Sequence, residues 1–494
     1  MALDNTHKNW KWLVLFTVIV GTFLGRLDQT IVNLALPKII TDFHITVSAA
    51  GWIATAYILA NAIFVPIWGK LGDTIGQKRV YIAGFSLFIL GSILAGLSWN
   101  LDSMISFRII QAIAGSADYP TAMAILALTF RDNKERAQAL GIWSSSFAAA
   151  AVFGPLIGGP LIDNFGWRSV FLVNLPVGVF GLILALIFIA ESDKSSKIVN
   201  FDWWGALTLG ASLTALVLVL DQGLTWGWLS FYSILCYFGT VFFGVIFVWL
   251  EKKNQHAIVD LKFFKRKVFV NVLANNFLIF MVMMGSVFLI PIFAQTFLGY
   301  DATQTGYLFM PMAFAMLLAA PFGGRLIGKI QSRYVIIAST FVAGIGLYLF
   351  SYLDPRSSAM AIIIPLAVMA FGMGFGMAQR TNIIASTVPH EEIGAASSVL
   401  ALARNIAGAF GIAVFGTLLQ NYEGSNILEI TKYSTLHSQS TQAFQQFIGL
   451  IILKAQVMAY DKVFVVAGIL AILGSFTAYW IKVPHESREK VHVE

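Results

Sequence analysis

A single cysteine, Cys236, stands in 494 residues, inside an apolar run, so a disulfide framework and a thiolate metal site are both excluded. Histidine is scarce as well. All seven (His7, His44, His256, His390, His437, His485 and His492) fall in tails, loops or the edges of apolar runs. There is no HExxH pattern and no intramembrane His/Cys cluster, which argues against a membrane-embedded metalloenzyme, and no Walker A sequence for ATP-driven work. Charge is the third shortage. Only 12% of residues are Asp, Glu, Lys or Arg, about half the share of a soluble domain. Against these deficits stand 58% hydrophobic residues and a mean hydropathy of +0.77. A disordered chain, a soluble enzyme and a nucleic-acid-binding domain are all excluded; the solvent of this chain is mostly lipid.

A bilayer core of ~30 Å needs ~20 apolar residues of helix. That ruler predicts fourteen spans, near 12–36, 48–69, 80–98, 103–130, 137–161, 168–190, 203–220, 229–250, 268–297, 303–324, 334–352, 359–387, 393–419 and 463–481. The fold class is therefore all-α and polytopic, since lipid leaves unpaired backbone groups no partner and the alternation of a β-barrel is missing. The first run, Trp12 to Pro37, is too long for a signal-peptide core and has no small-residue cleavage site, so it reads as a span. Twenty-two of the 32 Lys and Arg lie in segments on the side of the two termini, six on the other side, and four (Arg26, Arg108, Arg380 and Arg404) inside spans. The positive-inside rule then makes both termini cytoplasmic. The net charge of +7 belongs to short inner loops, so nucleic acid is not a partner; the lipid bilayer is.

Two connections stand out. Residues 251–267 are basic and lie near the middle of the chain, as a cytoplasmic linker between two halves would. Residues 420–462 form the one long outer loop, and its FQQFIGLIILKAQVMAY segment reads as an interfacial or re-entrant helix. A repeat is also present. Gly69-Lys70-Leu71-Gly72-Asp73-Thr74-Ile75-Gly76-Gln77-Lys78-Arg79 follows the second span, and a similar Gly-rich basic loop from Gly324 to Arg333 follows the tenth, with Gly328 where Asp73 stands. Paired inner loops point to a duplicated transporter. The organisation read from this is an N-terminal six-helix bundle (12–190), two inserted helices (203–250), the linker (251–267) and a C-terminal six-helix bundle (268–482).

Five motifs in order carry a family resemblance. Gly69–Arg79 resembles the GxLaDrxGrkr loop of the major facilitator superfamily, and Arg108-Ile109-Ile110-Gln111-Ala112 its RxxQG, with Ala112 where Gly is usual. Gly154-Pro155-Leu156-Ile157-Gly158-Gly159 resembles the GPxxGG of its exporters. Leu27–Pro37 resembles LDxTIVNVALP, and Trp167–Gly178 resembles WRWIFxINxPxG, of the fourteen-helix drug:proton antiporters of the EmrB/QacA type. The resemblance covers essentially the whole chain. It implies an exporter in the cell membrane (plasma or inner) driven by the proton gradient, with no cofactor, exchanging H+ for amphipathic or cationic small molecules. One native metabolite, siderophore or lipid is the alternative cargo, and a periplasmic adaptor the further partner of a Gram-negative source.

A charge in a span is costly and is read as functional by default. Asp28 and Asp118 are the acids well inside spans, and they are the expected proton-coupling groups. Arg26 and Arg108 are their expected partners: helical rise places Arg26 near the depth of Asp118, and Asp28 within reach of Arg108. The family pattern requires neither Arg26 nor Asp118, which suggests that those two form a pair. Gly69, Gly72, Asp73, Gly76 and Arg79 read as an inner-gate latch, in which Arg79 orients Asp73. Gly154, Pro155, Gly158 and Gly159 let span 5 pack closely and bend. The substrate cavity is expected at Asn33, Gln111, Tyr119, Asn271, Asn275, Phe280, Met284, Arg404 and Asn405. Arg380 is expected to be interfacial, its side chain reaching toward the cytoplasm, with Glu391 and Glu392 in the inner loop 388–392.

Overall fold

Short polar residues start several helices of this chain. Thr46 accepts the Ala49 N–H, Asn100 and Ser103 form a reciprocal capping box, and Asp202 accepts the Gly205 N–H at 2.8 Å. The computed structural model describes residues 10–130, 133–191, 202–254, 259, 261–327, 329–388, 393–433 and 441–481, and every regular element among them is helical. The chain divides into two compact units, Met1–Ile258 with Ile290–Tyr307, and Val259–Leu289 with Leu308–Glu494.

In the first unit the helices are α1 (Trp10–Phe43), α2 (Val47–Ile75), α3 (Gln77–Gly96), α4 (Leu101–Gly115), α5 (Asp118–Thr129), α6 (Asn133–Phe165), α7 (Ser169–Leu172), α8 (Asn174–Phe188), α9 (Trp203–Trp226) and α10 (Phe231–Lys253). Helix α1 packs on α6 and α8, α3 on α4 and α8, and α2 on α4 and α9. Val14, Val18, Tyr81, Ile125, Leu126 and Phe130 form one buried apolar cluster of this unit. The α9–α10 pair is docked on α2 by a polar contact: Ser48 donates to Asp221 at 2.7 Å, and the Trp52 indole donates to the other carboxyl oxygen.

The second unit is built from most of α11 (Lys267–Phe297) and α12 (Ala302–Gly324), with α13 (Ser332–Leu349), α14 (Met360–Ser386), α15 (Ile393–Tyr433) and α16 (Thr441–Thr477). Helix α13 packs on α14 and α16, and α15 on α16. Backbones approach closely where glycine removes the side chain: a Cβ at Gly411 would stand 2.0 Å from the Met281 carbonyl oxygen, which brings α15 onto α11. Of the linker 251–267, the last turn of α10 and a short 3-10 turn at Leu261–Lys265 are described, and Phe263 stacks at a tilt on Phe269 of α11.

Twelve helices among the described residues are long and apolar enough to cross a membrane. The expected span 103–130 is instead the pair α4 and α5, broken at Ser116 and Ala117, and 137–161 falls within α6. The outer segment 420–462 also differs from its sequence reading. Helix α15 has 41 residues and α16 has 37, so they are about 60 and 55 Å long and exceed a bilayer core by roughly 30 and 25 Å. The expected interfacial helix is the continuous first half of α16. Its polar residues are satisfied by α15: Asn426 donates to the Ala455 carbonyl at 3.0 Å, Lys462 donates to Asn426 at 2.5 Å, and Gln456 to Glu423 at 2.8 Å. Within that run Gln456 faces the α15 seam, while Gln445, Gln446 and Lys454 are exposed.

Candidate functional site

Asp28 is fully buried in α1 and accepts three hydrogen bonds from two other spans. Arg108 Nη1 of α4 donates to Oδ2 at 2.6 Å, Gln111 Nε2 to Oδ1 at 2.9 Å, and Asn174 Nδ2 of α8 to Oδ1 at 2.8 Å. Arg108 and Gln111 are one helical turn apart, so both reach the same carboxylate. Arg108 Nη1 also donates to Gln111 Oε1 at 2.6 Å, and Gln111 and Asn174 meet Ser92 of α3 at 2.6 and 3.2 Å. The guanidinium lies 4.0 Å from the Tyr57 ring centroid, an aromatic wall for a cation out of water. An ion pair this dry is held by its extra hydrogen bonds, and the loss of either charge strands the other.

No salt bridge joins Arg26 to Asp118 among the described residues, although the Arg26 charge acts on the Asp118 carboxyl. Arg26 donates to Gln29 Oε1 at 3.2 Å within α1. Asp118 lies opposite Gly21, whose Cβ would stand 3.4 Å from Oδ1. Gly21 precedes Arg26 by five residues, which separates them by ~7.5 Å along α1 and ~140° around it. The cause is the break at Ser116 and Ala117: Asp118 opens a new helix, so the phase counted from Arg108 no longer applies. Its Oδ1 is buried without a hydrogen-bond partner, beside a cavity of about 20 Å³ lined by Gly21, Gly25, Gly84, Gly115 and Tyr81. That volume suffices for one water molecule.

The expected latch segment is barely a loop. Gly69, Gly72 and Asp73 lie on α2, Gly76 turns the chain with φ of 108°, a conformation that favours glycine, and α3 starts at Gln77. Arg79 pairs with Glu191 at 3.4 Å, both half-exposed, while the side chain of Asp73 lies outside the described residues. The GPxxGG segment sits inside α6. A Cβ at Gly154 would stand 2.0 Å from Thr30 Oγ1, and one at Gly158 would stand 2.9 Å from Ile31 Cγ2, so this stripe presses on α1 within one turn of Asp28. On its other side Gly159 meets Thr303, and Pro155 meets Gly306. Asp163 then accepts the Ala302 and Thr303 N–H groups at 3.1 and 2.8 Å, which caps α12.

In the second unit Arg380 is buried, not interfacial: its position near the end of α14 does not set its direction, and the side chain turns inward. Its Nε donates to Asn275 Oδ1 at 2.9 Å, and its Nη2 to Ser339 and Thr340 at 3.1 and 2.7 Å. Asn275 also donates to the Gly474 carbonyl at 2.9 Å, so it ties α11, α13, α14 and α16 together. Arg404 lies 5.0 Å over the Phe280 ring and donates to Asn276 at 3.4 Å. Of the other expected cavity residues, Gln111 belongs to the Asp28 network. Tyr119 is exposed against Trp143, and Asn271 donates to the Trp480 carbonyl at 3.2 Å. Asn33, Met284 and Asn405 are half-buried. Glu391 and Glu392 lie outside the described residues.

Three residues of these sites had no role in the sequence reading. Asn174 stood in a quoted motif, two residues before Pro176, which gave a signal without a partner. Asp221 sat at the margin of a span. Asn276, adjacent to Asn275, looked like part of a polar stripe.

The profile of the Major Facilitator Superfamily matches residues 18–412. The chain is 32% identical over 407 residues to the multidrug resistance protein Stp of Mycobacterium tuberculosis, a match covering 82% of this chain and 75% of that one. It is 32% identical over 459 residues to the multidrug transporter protein MdtP of Bacillus subtilis, covering 91% and 84%. Its fold is similar to the inward-facing, occupied crystal structure of a bacterial homologue of the human lysosomal transporter Spinster. The TM-score is 0.68 at 16% identity, over 96% of this chain and 97% of that one.

Proposed function

The chain belongs to the major facilitator superfamily, and from that premise we propose that it is a proton-coupled secondary exporter of amphipathic or cationic small molecules, working by alternating access. It is a multi-pass membrane transporter rather than an enzyme. The names of its relatives, multidrug resistance and multidrug transporter proteins, support drug export. We read fourteen crossings: the twelve long apolar helices, the α4–α5 pair and α6, with α9 and α10 as the inserted pair. We place both termini in the cytoplasm, a reading the basic loops support, and take the membrane to be the plasma or inner membrane.

The observation that carries the reading is the buried Asp28–Arg108 pair. With Asp28 charged, α1, α4 and α8 are held together through one carboxylate. A proton on Asp28 removes its charge and leaves Gln111 Oε1 as the other described hydrogen-bond acceptor of Arg108, beside the Tyr57 ring, so the three helices can rearrange. Release of the proton on the other side restores the pair. Proton movement and helix packing are thereby linked at one atom. Asp118, with its unpartnered Oδ1, is a second proton site in this scheme.

The test is reconstitution. In proteoliposomes carrying an imposed pH difference, addition of a cationic dye should dissipate that difference in proportion to dye transported. Dye movement with no proton flux would reject coupling.

A further inference from the structure

The start of α11 holds three basic residues that proton coupling does not use. The 3-10 turn Leu261–Lys265 is pinned to this helix: Phe263 is buried, and its ring lies 5.4 Å from that of Phe269. The chain then enters α11 in helical phase, since the Val270 N–H donates to the Arg266 carbonyl at 3.1 Å. Lys265, Arg266 and Lys267 are thereby fixed at one end of the helix. All three are exposed, and no ion pair among the described residues uses them. Orientation in the membrane needs positive charge on the inner side. It does not need that charge pinned to one helix.

An apolar groove of about 440 Å³ begins one turn further on. Val270, Leu273, Ala274, Phe277, Leu278 and Met281 line it from α11, and Ala403 lines it from α15. All of these residues belong to the second unit. At the far end α15 closes on α11: the Phe277 and Phe410 rings meet edge-on at 6.0 Å, and Gly411 meets the Met281 carbonyl. Eight residues before Gly411, Ala403 presents a single methyl group, and the gap between the helices opens. Arg266 stands seven and eleven residues before Leu273 and Phe277, and Lys267 stands seven and eleven before Ala274 and Leu278. Both basic residues therefore lie on the groove's own face of the helix. The stripe from Val270 to Met281 is ~16 Å long, about the depth of one leaflet of a ~30 Å bilayer core.

We propose that this face of α11 binds an anionic phospholipid, with an acyl chain in the groove and the headgroup phosphate against Lys265, Arg266 and Lys267. Charge complementarity selects an anionic headgroup over a zwitterionic one. The match between groove length and leaflet depth selects a membrane lipid over a soluble ligand. With the orientation proposed above, the lipid belongs to the cytoplasmic leaflet, whose negative surface attracts basic segments of this kind.

The test is lipid binding, which needs no proton gradient. The full-length protein, delipidated in a nonionic detergent, is incubated with equimolar dioleoylphosphatidylglycerol and dioleoylphosphatidylcholine, and bound lipid is counted by native mass spectrometry. Phosphatidylglycerol should be retained about tenfold or more over phosphatidylcholine. Lys265→Gln, Arg266→Gln and Lys267→Gln together should erase that preference, and Lys265→Arg, Arg266→Lys and Lys267→Arg together should keep it. Ala274→Phe fills the groove from an exposed position and leaves the three charges in place. It should lower phosphatidylglycerol binding by a similar factor. Equal retention of the two lipids, or phosphatidylglycerol binding unchanged in the neutralised variant or in Ala274→Phe, would overturn the proposal. Displacement of the lipid by equimolar dodecanoate would assign the site to a free amphipathic acid and overturn it as well. Phosphatidylglycerol preference without proton flux would reject the coupling reading alone, and coupled dye export without that preference would reject this site alone.

Discussion

Asn174 Nδ2 donates to Asp28 Oδ1 at 2.8 Å, joining α8 to α1 across 146 positions of sequence. Arg108 neutralises the carboxylate, and Asn174 and Gln111 fix its orientation. A carboxylate held this way has one favoured geometry while charged and a different hydrogen-bond requirement once protonated.

The charge balance of this pair predicts a double-mutant cycle. Asp28→Asn alone strands Arg108 in a dry site and should lower stability by about 3–5 kcal/mol. Arg108→Gln combined with Asp28→Asn should recover most of that loss. Melting of the purified protein in detergent measures it. Additive losses would mean the two side chains are not energetically coupled.

Asn174→Ala removes one donor to a buried carboxylate, at a cost of about 1–3 kcal/mol. Uphill export should fall while substrate binding is nearly unchanged, because Asn174 acts through Asp28. A binding defect equal to the transport defect would contradict that division.

Close packing of α6 on α1 is testable with one methyl group. Gly154→Ala sets a Cβ 2.0 Å from Thr30 Oγ1, and overpacking of this kind costs about 1–3 kcal/mol. Thr30→Ala should partly rescue transport in Gly154→Ala. Two independent, additive defects would place the glycine's role elsewhere.

The inserted pair depends on Asp221, which is buried and accepts from Ser48, Trp52 and Gln222. Asp221→Ala leaves Ser48 and the Trp52 indole without that acceptor, costing about 1–3 kcal/mol. Crosslinking between cysteines placed on α2 and α9 should weaken, with the Asp28 network intact. Unchanged crosslinking would mean that apolar packing alone docks α9.

The spans were legible because a lipid environment leaves a long apolar run few alternatives to helix. The Asp28–Arg108 pair was legible too, since helical rise put the two residues ~7 Å apart in depth, within reach of an arginine side chain, and the break in the fourth span comes after Arg108. Arg26 and Asp118 show where that ruler fails. A break at Ser116 and Ala117 resets the rotation of every later residue, and its signal is Pro120, which has no N–H to give the Ser116 carbonyl. Arg380 shows a second limit: sequence gives a residue's depth and leaves open whether the side chain turns outward or inward, and here Ser339, Thr340 and Asn275 from two other helices settle it. The length of α15 and α16 was hidden for a third reason. Asn426, Gln456 and Lys462 look like loop residues until their partners on the neighbouring helix are known.

The central claim is that one carboxyl couples protons to export, and a paired assay on Asp28→Asn measures it most directly. Parent and variant are reconstituted at equal density. Each is assayed for substrate accumulation against its gradient under an imposed pH difference, and for substrate exchange at equal concentrations without one. The account predicts that Asp28→Asn loses accumulation and retains exchange, because the amide preserves shape and cannot carry a proton. Full accumulation by the variant, driven by the pH difference as in the parent, would contradict it.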